Sequence, residues 1–105
     1  MGTATIAGHH VELDRDGYLA SLDDWNEEIA AELAAENGVG PLTDKHWQVI
    51  HFCRRDTRAQ GEPPGVRRIS RETGIALRDM YLLFPKGPGK LAALISGTRK
   101  PDSCV

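Results

Sequence analysis

The chain has 105 residues, of which 40% are hydrophobic and 27% charged, with a formal net charge of −2. This is the make-up of one ordinary globular domain that buries roughly two-thirds of its unfolded surface, with no room for a second domain. No apolar run approaches the roughly 20 residues that span a bilayer, and the opening MGTATIAGHHVELD lacks the basic flank and apolar stretch of a secretory signal, so the expected location is the cytoplasm, away from membranes.

Residues 3–13 alternate weakly and break at Ala7-Gly8-His9, which predicts two short strands joined by a tight turn. DRDGYL follows as a second turn, with Gly17 at a positive φ. Trp25, Ile29 and Leu33 recur every four residues and predict a helix over 24–36, with acids at its N-terminus and Asn37-Gly38 at its end. Thr43 is a suitable N-cap for a helix over roughly 44–59. The apolar stripe of that helix (Trp47, Ile50 and Cys53, widened by His46, Val49 and Phe52) suits a central, buried position. Gly61 to Pro64 break the chain. A short basic helix is expected over 65–73, a Thr73-Gly74 turn, and a helix over 75–84 with Ile75, Leu77, Tyr81, Leu82 and Phe84 as its apolar positions. A last helix over 90–96 carries Leu91, Leu94 and Ile95 and closes at Gly97, leaving the polar tail TRKPDSCV. Trp25 and Trp47 are expected as core anchors.

Charge is unevenly spread. Residues 1–53 hold ten acids and two bases, and residues 54–105 eleven bases and five acids. Either the basic half docks something acidic, or the two halves attract each other within the fold.

Two cysteines are too few for a secreted disulfide framework. Cys53 sits inside an apolar periodic segment and reads as structural, whereas Cys104 is the penultimate residue, on a tail whose eight residues after Gly97 reach about 25 Å or more when extended. A thiol there is easily reached; Arg99 and Lys100 favour its thiolate and the terminal carboxylate opposes it. A plain chain end with an incidental cysteine is the other reading. From a different class comes residues 65–84 as a helix-turn-helix that binds DNA, with Arg67, Arg68, Arg71 and Arg78 on phosphates. Its second helix offers Arg78 and Asp79 but no Asn or Gln to read bases. No metal site is expected from His9, His10, His46 and His51, whose spacing fits no zinc pattern.

Four blocks of sequence resemble the DsrC/TusE family of sulfur-relay proteins over roughly residues 5–105: Gly17-Tyr18-Leu19 with Asp24-Trp25; Leu42-Thr43 with His46-Trp47, Val49-Ile50, Phe52 and Arg54; Pro64 with Val66-Arg67; and Tyr81 through Pro88 with Lys90, Lys100-Pro101 and Cys104-Val105. The resemblance implies a mainly α (α+β) fold. A small N-terminal β-hairpin packs on an orthogonal bundle of about five helices that includes the helix-turn-helix-like pair. Residues 1–97 form the domain and 98–105 a mobile C-terminal arm. It further implies a relay protein, without cofactor, that carries sulfane sulfur as a persulfide on Cys104 between donor and acceptor proteins, in a tRNA 2-thiouridine relay (an indirect link to tRNA) or another cytoplasmic sulfur pathway. Arg67, Lys86, Lys90, Arg99 and Lys100 are the candidates for docking an acidic partner or stabilising the sulfur anion; each is otherwise a solvated surface charge. Dissimilatory members carry a second cysteine about eleven residues before the last, where this chain has Ala93, so the resemblance is to single-cysteine, TusE-like members. The segment from Thr73 to Tyr81 is also several residues shorter than the Lys/Gly/Asn-rich stretch of some members.

Overall fold

A computed structural model describes residues 2–101. Strands β1 (Gly2–Ile6) and β2 (His9–Leu13) form an antiparallel hairpin in which Ile6 pairs with His9. The two-residue turn places both Ala7 (φ 52°) and Gly8 (φ 80°) in the left-handed region, the geometry whose twist matches a right-handed hairpin. Glycine adopts it freely; Ala7 is held there while its N–H donates to the Glu32 carboxylate at 2.9 Å. Next, Asp14 accepts the N–H groups of Asp16 and Tyr18 on Oδ1 at 2.9 and 3.0 Å, and Gly17 takes the expected positive φ of 84°.

Five helices follow: α1 (Glu27–Glu36), α2 (Asp44–Gln60), α3 (Val66–Thr73), α4 (Leu77–Leu83) and α5 (Pro88–Ile95). The first begins later than the periodicity predicts. Ser21 caps a 3₁₀ turn at Leu22–Asp24, Trp25 is extended, and Asn26 starts α1 by accepting the Ile29 N–H at 2.9 Å. Short polar side chains that bond nearby N–H groups thus override the apolar spacing. α4 likewise starts at Leu77, because the Ile75 carbonyl is taken by the Ser70 hydroxyl at 2.6 Å instead of by a helical turn. α5 starts earlier, with Pro88 at its first position, where a missing N–H costs nothing.

The second helix is the central one, packing on α3 and α5, while α1 also packs on α5 and α3 on α4. Val49, Ile50 and Cys53 are almost wholly buried with Ile29, Ile69, Met80, Phe84 and Ile95. His46 belongs to this layer. Its Nδ1 accepts the Thr43 N–H at 3.0 Å in a capping box, which leaves Nε2–H to donate to the Leu83 carbonyl at 2.9 Å and so tie α2 to α4. Two expectations need correcting. Trp25 and Trp47 are only partly buried, their rings lying over the core's edge. Leu77, Tyr81 and Leu82 face outward, Leu82 being 76% exposed, since a seven-residue helix buries only one stripe and here Met80 occupies it.

The buried Asp56 on α2 and Arg68 on α3 form a two-pronged ion pair, with contacts of 2.7 and 2.9 Å. The bond from Arg68 holds the Asp56 carboxyl below its ordinary value of 3.8. With the folded value lowered, the pair's contribution to stability is present above the unfolded value and lost as pH falls through the folded one. Urea unfolding should therefore show Asp56→Asn less stable than wild type at neutral pH, with the gap closing below about pH 4. Ala7→Gly should raise stability by up to about 1 kcal/mol in the same assay, because it relieves the left-handed strain at the hairpin turn.

Candidate functional site

The chemistry expected of this chain rests on its two cysteines. Cys53 is 1% exposed, beneath α5, and burial pushes its thiol up to about 12, far from any thiolate at neutral pH. Cys104 lies outside the described residues, so the site is built from the structure that leads to it.

That structure is the C-terminal end of α5. Helices leave their last carbonyls without intrahelical partners. Here the Thr98 N–H bonds to the Ala93 carbonyl (3.1 Å) and the Gly97 N–H to the Leu94 carbonyl (3.2 Å), a Schellman end with Gly97 left-handed at φ 74°. The Thr98 hydroxyl also donates to Ala93, at 3.2 Å. The two following carbonyls are satisfied from elsewhere in the chain. Trp25 donates its indole N–H to Ile95 at 2.8 Å, and Arg54 donates to Ser96 at 3.0 Å. The second arm of the Arg54 guanidinium donates to the Leu22 carbonyl at 2.9 Å, and its carbon sits 4.2 Å from the Trp25 ring centroid, so one cation on α2 joins the 3₁₀ turn to the end of α5. Burial and neighbouring Arg58 lower the Arg54 pKa, and Asp23 opposes them.

Gly97 is required by space as well as conformation. A Cβ there would lie 2.6 Å from Trp25 Cδ1. Thr98 is 1% exposed and Pro101 is buried, so the chain from 98 to 101 lies on the body where a free arm was expected to begin. Arg99 donates to the Gly61 carbonyl at 3.2 Å. Arg99, Lys100 and Pro101 line a shallow cleft with Asp14 and Asp16.

Of the candidate cations, Arg99 and Lys100 come together in this cleft. Arg67 is exposed on α3, Lys86 lies in the α4–α5 turn, and Lys90 on α5 offers its carbonyl to the Tyr18 hydroxyl at 3.4 Å; none lines the cleft. The helix-turn-helix order is present in α3 and α4, but Arg68 is committed to Asp56, Arg71 lies 3.6 Å from Glu72, and α4 presents Leu77, Tyr81 and Leu82 in place of groups that read base edges. The histidines serve separate contacts: His9 is 3.5 Å from Glu28 and His51 is 3.7 Å from Glu27. Among the described residues no helix is long and apolar enough to cross a membrane, and no His/Cys/Asp/Glu group is arranged to hold a metal. The periodicity gave Trp25 a core role and Arg54 none. The signs in the sequence were Gly97 immediately after an apolar helix and the place of Trp25 and Arg54 in the blocks that resemble the family.

A hairpin set on five short helices, with the chain led out across the body from a clasped α5, defines a class of small, mainly helical one-domain proteins. The chain belongs to the DsrC/TusE family: the family model described as DsrC like protein matches residues 5–105. It is 36% identical to the dissimilatory-type sulfite reductase gamma subunit of Nitratidesulfovibrio vulgaris, over 105 positions that cover 100% of both chains. It is 37% identical to the sulfurtransferase TusE of Sodalis glossinidius, over 105 positions that take in 93% of this chain and 96% of the relative. The crystal structure of dissimilatory sulfite reductase I (DsrI) superposes with a TM-score of 0.87 at 38% identity, covering 99% of this chain and 100% of that one. The NMR structure of Allochromatium vinosum DsrC gives 0.84 at 32%, covering 99% and 98%. The gamma-subunit alignment takes in the full length of both chains.

Gly97→Ala combines a left-handed alanine with a clash against Trp25. Denaturant unfolding should show a loss of about 2 kcal/mol or more, against a negligible change for an alanine at the solvent-facing Gly40.

Proposed function

We propose that this chain is a sulfur carrier that holds sulfane sulfur on Cys104 and passes it between proteins. The observation that carries the reading is the contrast between its two thiols. Cys53 is sealed and held as thiol, which leaves Cys104, in the Lys-Pro-x-x-Cys-Val segment that resembles the family's sulfur-carrying end, for the chemistry that the relatives' names, sulfurtransferase and sulfite reductase subunit, point to.

Transfer needs no oxidant or reductant. The Cys104 thiolate attacks the outer sulfur of a donor persulfide; the new S–S bond forms as the donor's S–S bond breaks, and the donor leaves as thiolate. An acceptor thiolate then attacks the outer sulfur now on Cys104, which departs as thiolate in turn. Arg99 and Lys100 supply positive charge near the thiolate and persulfide anion, and Arg67, Lys86 and Lys90 serve to dock acidic partners at a greater distance. Ala93, buried within α5, gives the chain no second arm cysteine, so discharge is to a partner rather than by internal disulfide. This favours a one-cysteine relay of the TusE kind, such as one that ends in tRNA thiolation, while the full-length match to the gamma subunit keeps another sulfur pathway as the second reading.

Incubation with inorganic polysulfide, read by intact mass, should add one sulfur atom that reductant removes. The gain should vanish in Cys104→Ser and persist in Cys53→Ser. Equal gain in Cys104→Ser would overturn the proposal.

A further inference from the structure

We infer that the outward face of α4 is a docking surface for a partner protein, and that its occupant is an amphipathic helix whose apolar stripe is flanked by acids. The inference deepens the docking role proposed above for Lys86 and rests on that part of the reading; it calls on neither thiol.

Among the described residues, the large hydrophobic side chains left in water gather on this one element. Leu77 and Tyr81 are 37% and 47% exposed, and Leu82 76%. Scattered singly they would need no explanation, but gathered on seven residues they form a patch of the kind that marks an interaction site. The helix is held from its other side. Met80 and Phe84 are wholly buried, and His46 on α2 bonds to the Leu83 carbonyl. The core beneath α4 is therefore complete without the outward side chains.

Helical spacing arranges this face for a second helix. Residues four apart lie one above the other, so Leu77 and Tyr81 make one row, and Arg78 and Leu82 the next. Two adjacent rows of this kind form the ridges and groove into which another helix packs. Charge gives the sign of the partner. Arg78 stands in the second row and Lys86 follows the helix; both are exposed, and no carboxylate pairs with either among the described residues. Asp79, the acid of α4, is half-buried. On the adjoining α3, Arg68 is taken by Asp56 and Arg71 lies beside Glu72. The uncompensated charge on the face is positive, and its complement is acidic.

Two other occupants fit less well. Nucleic acid phosphates would match Arg78 and Lys86 but leave Leu77 and Leu82 in water, whereas an apolar stripe edged with carboxylates meets both. A second copy of the chain has an acidic helix in α1, but the stripe of α1 (Ile29, Ala30, Leu33 and Ala34) is buried in its own core. A face this small suits a transient complex.

The probe is a synthetic peptide of about 18 residues, long enough to hold a helix, with leucines at alternating third and fourth positions and glutamates beside them. Titrated into the ¹⁵N-labelled full-length chain, it should give saturable shifts centred on the amides of Leu77 to Lys86, and its affinity should fall as salt rises. Leu82→Ser and Arg78→Glu should each weaken binding about fivefold or more; both side chains are exposed, so these variants fold. A scrambled peptide of the same composition should leave the face unshifted. No shift overturns the proposal, and so do equal shifts from the scrambled peptide or from one with lysines in place of glutamates. A short DNA duplex that binds the same amides more tightly than the peptide gives the face to nucleic acid and overturns it too. Shifts there on raising the chain's own concentration give it to a second copy, with the same consequence. Polysulfide loading is read separately. If it is lost in Cys104→Ser while the peptide does not bind, the carrier reading stands without this face. If the peptide binds and Cys104→Ser loads like wild type, the face stands and the carrier reading falls.

Discussion

The end of α5 is the point on which the rest of the molecule depends. An α-helix of eight residues has little stability of its own, and this one is among the most deeply buried elements, packed against α1 and α2. A buried helix end with unmet carbonyls would cost about 1–3 kcal/mol for each. The structure meets them with a cation from α2, an indole from the segment before α1, and the tail itself. The same contacts that complete the core also set the course of residues 97 to 101 over the body.

Much of the architecture was legible because it is written in local rules. The hairpin break at Ala7-Gly8, the positive φ at Gly17, the Thr43 cap, and the stops at Gly38, Gly61 and Gly74 all follow from what a few adjacent residues can do. Helix starts were less legible. Asn26 competes with the Trp25 periodicity, and the hydroxyl of Ser70 takes a carbonyl that would otherwise enter α4; both are side-chain choices that spacing does not show. The outward placement of Leu77, Tyr81 and Leu82 was illegible for a further reason, since three apolar residues on a short helix cannot be ranked without knowing that Met80 and Phe84 already fill the space beneath. At the candidate site, Cys104 lies outside the described residues, and the adjacency of Arg99 and Lys100 could be read directly. The roles of Arg54 and Trp25 could not, because each acts on a backbone atom far away in sequence.

The split of charge between the two halves has a mixed explanation. Some of it is internal attraction: Arg58 of the basic half meets Asp23 of the acidic half at 3.0 Å, and Arg99 and Lys100 share a cleft with Asp14 and Asp16. Such exposed pairs contribute little to stability. Asp56 and Arg68 pair within the basic half and hold α3 to α2. Arg67 and Lys86 are exposed. The fold thus uses its cations in different ways according to depth, with Arg54 at the helix end, Arg68 in a half-covered pair and the others at the surface.

In the proposed carrier, the sealing of Cys53 governs time as well as place. A carrier with two thiols within reach of each other can discharge itself: an internal thiolate attacks the inner sulfur of the persulfide, a disulfide forms and hydrosulfide leaves. Here the second thiol is packed under α5 and held protonated. The lifetime of the loaded form then depends on collision with an acceptor, and so on the acceptor's concentration. On that proposal, burial of one cysteine gives the other the character of a reservoir, whose contents are released at a rate set by demand.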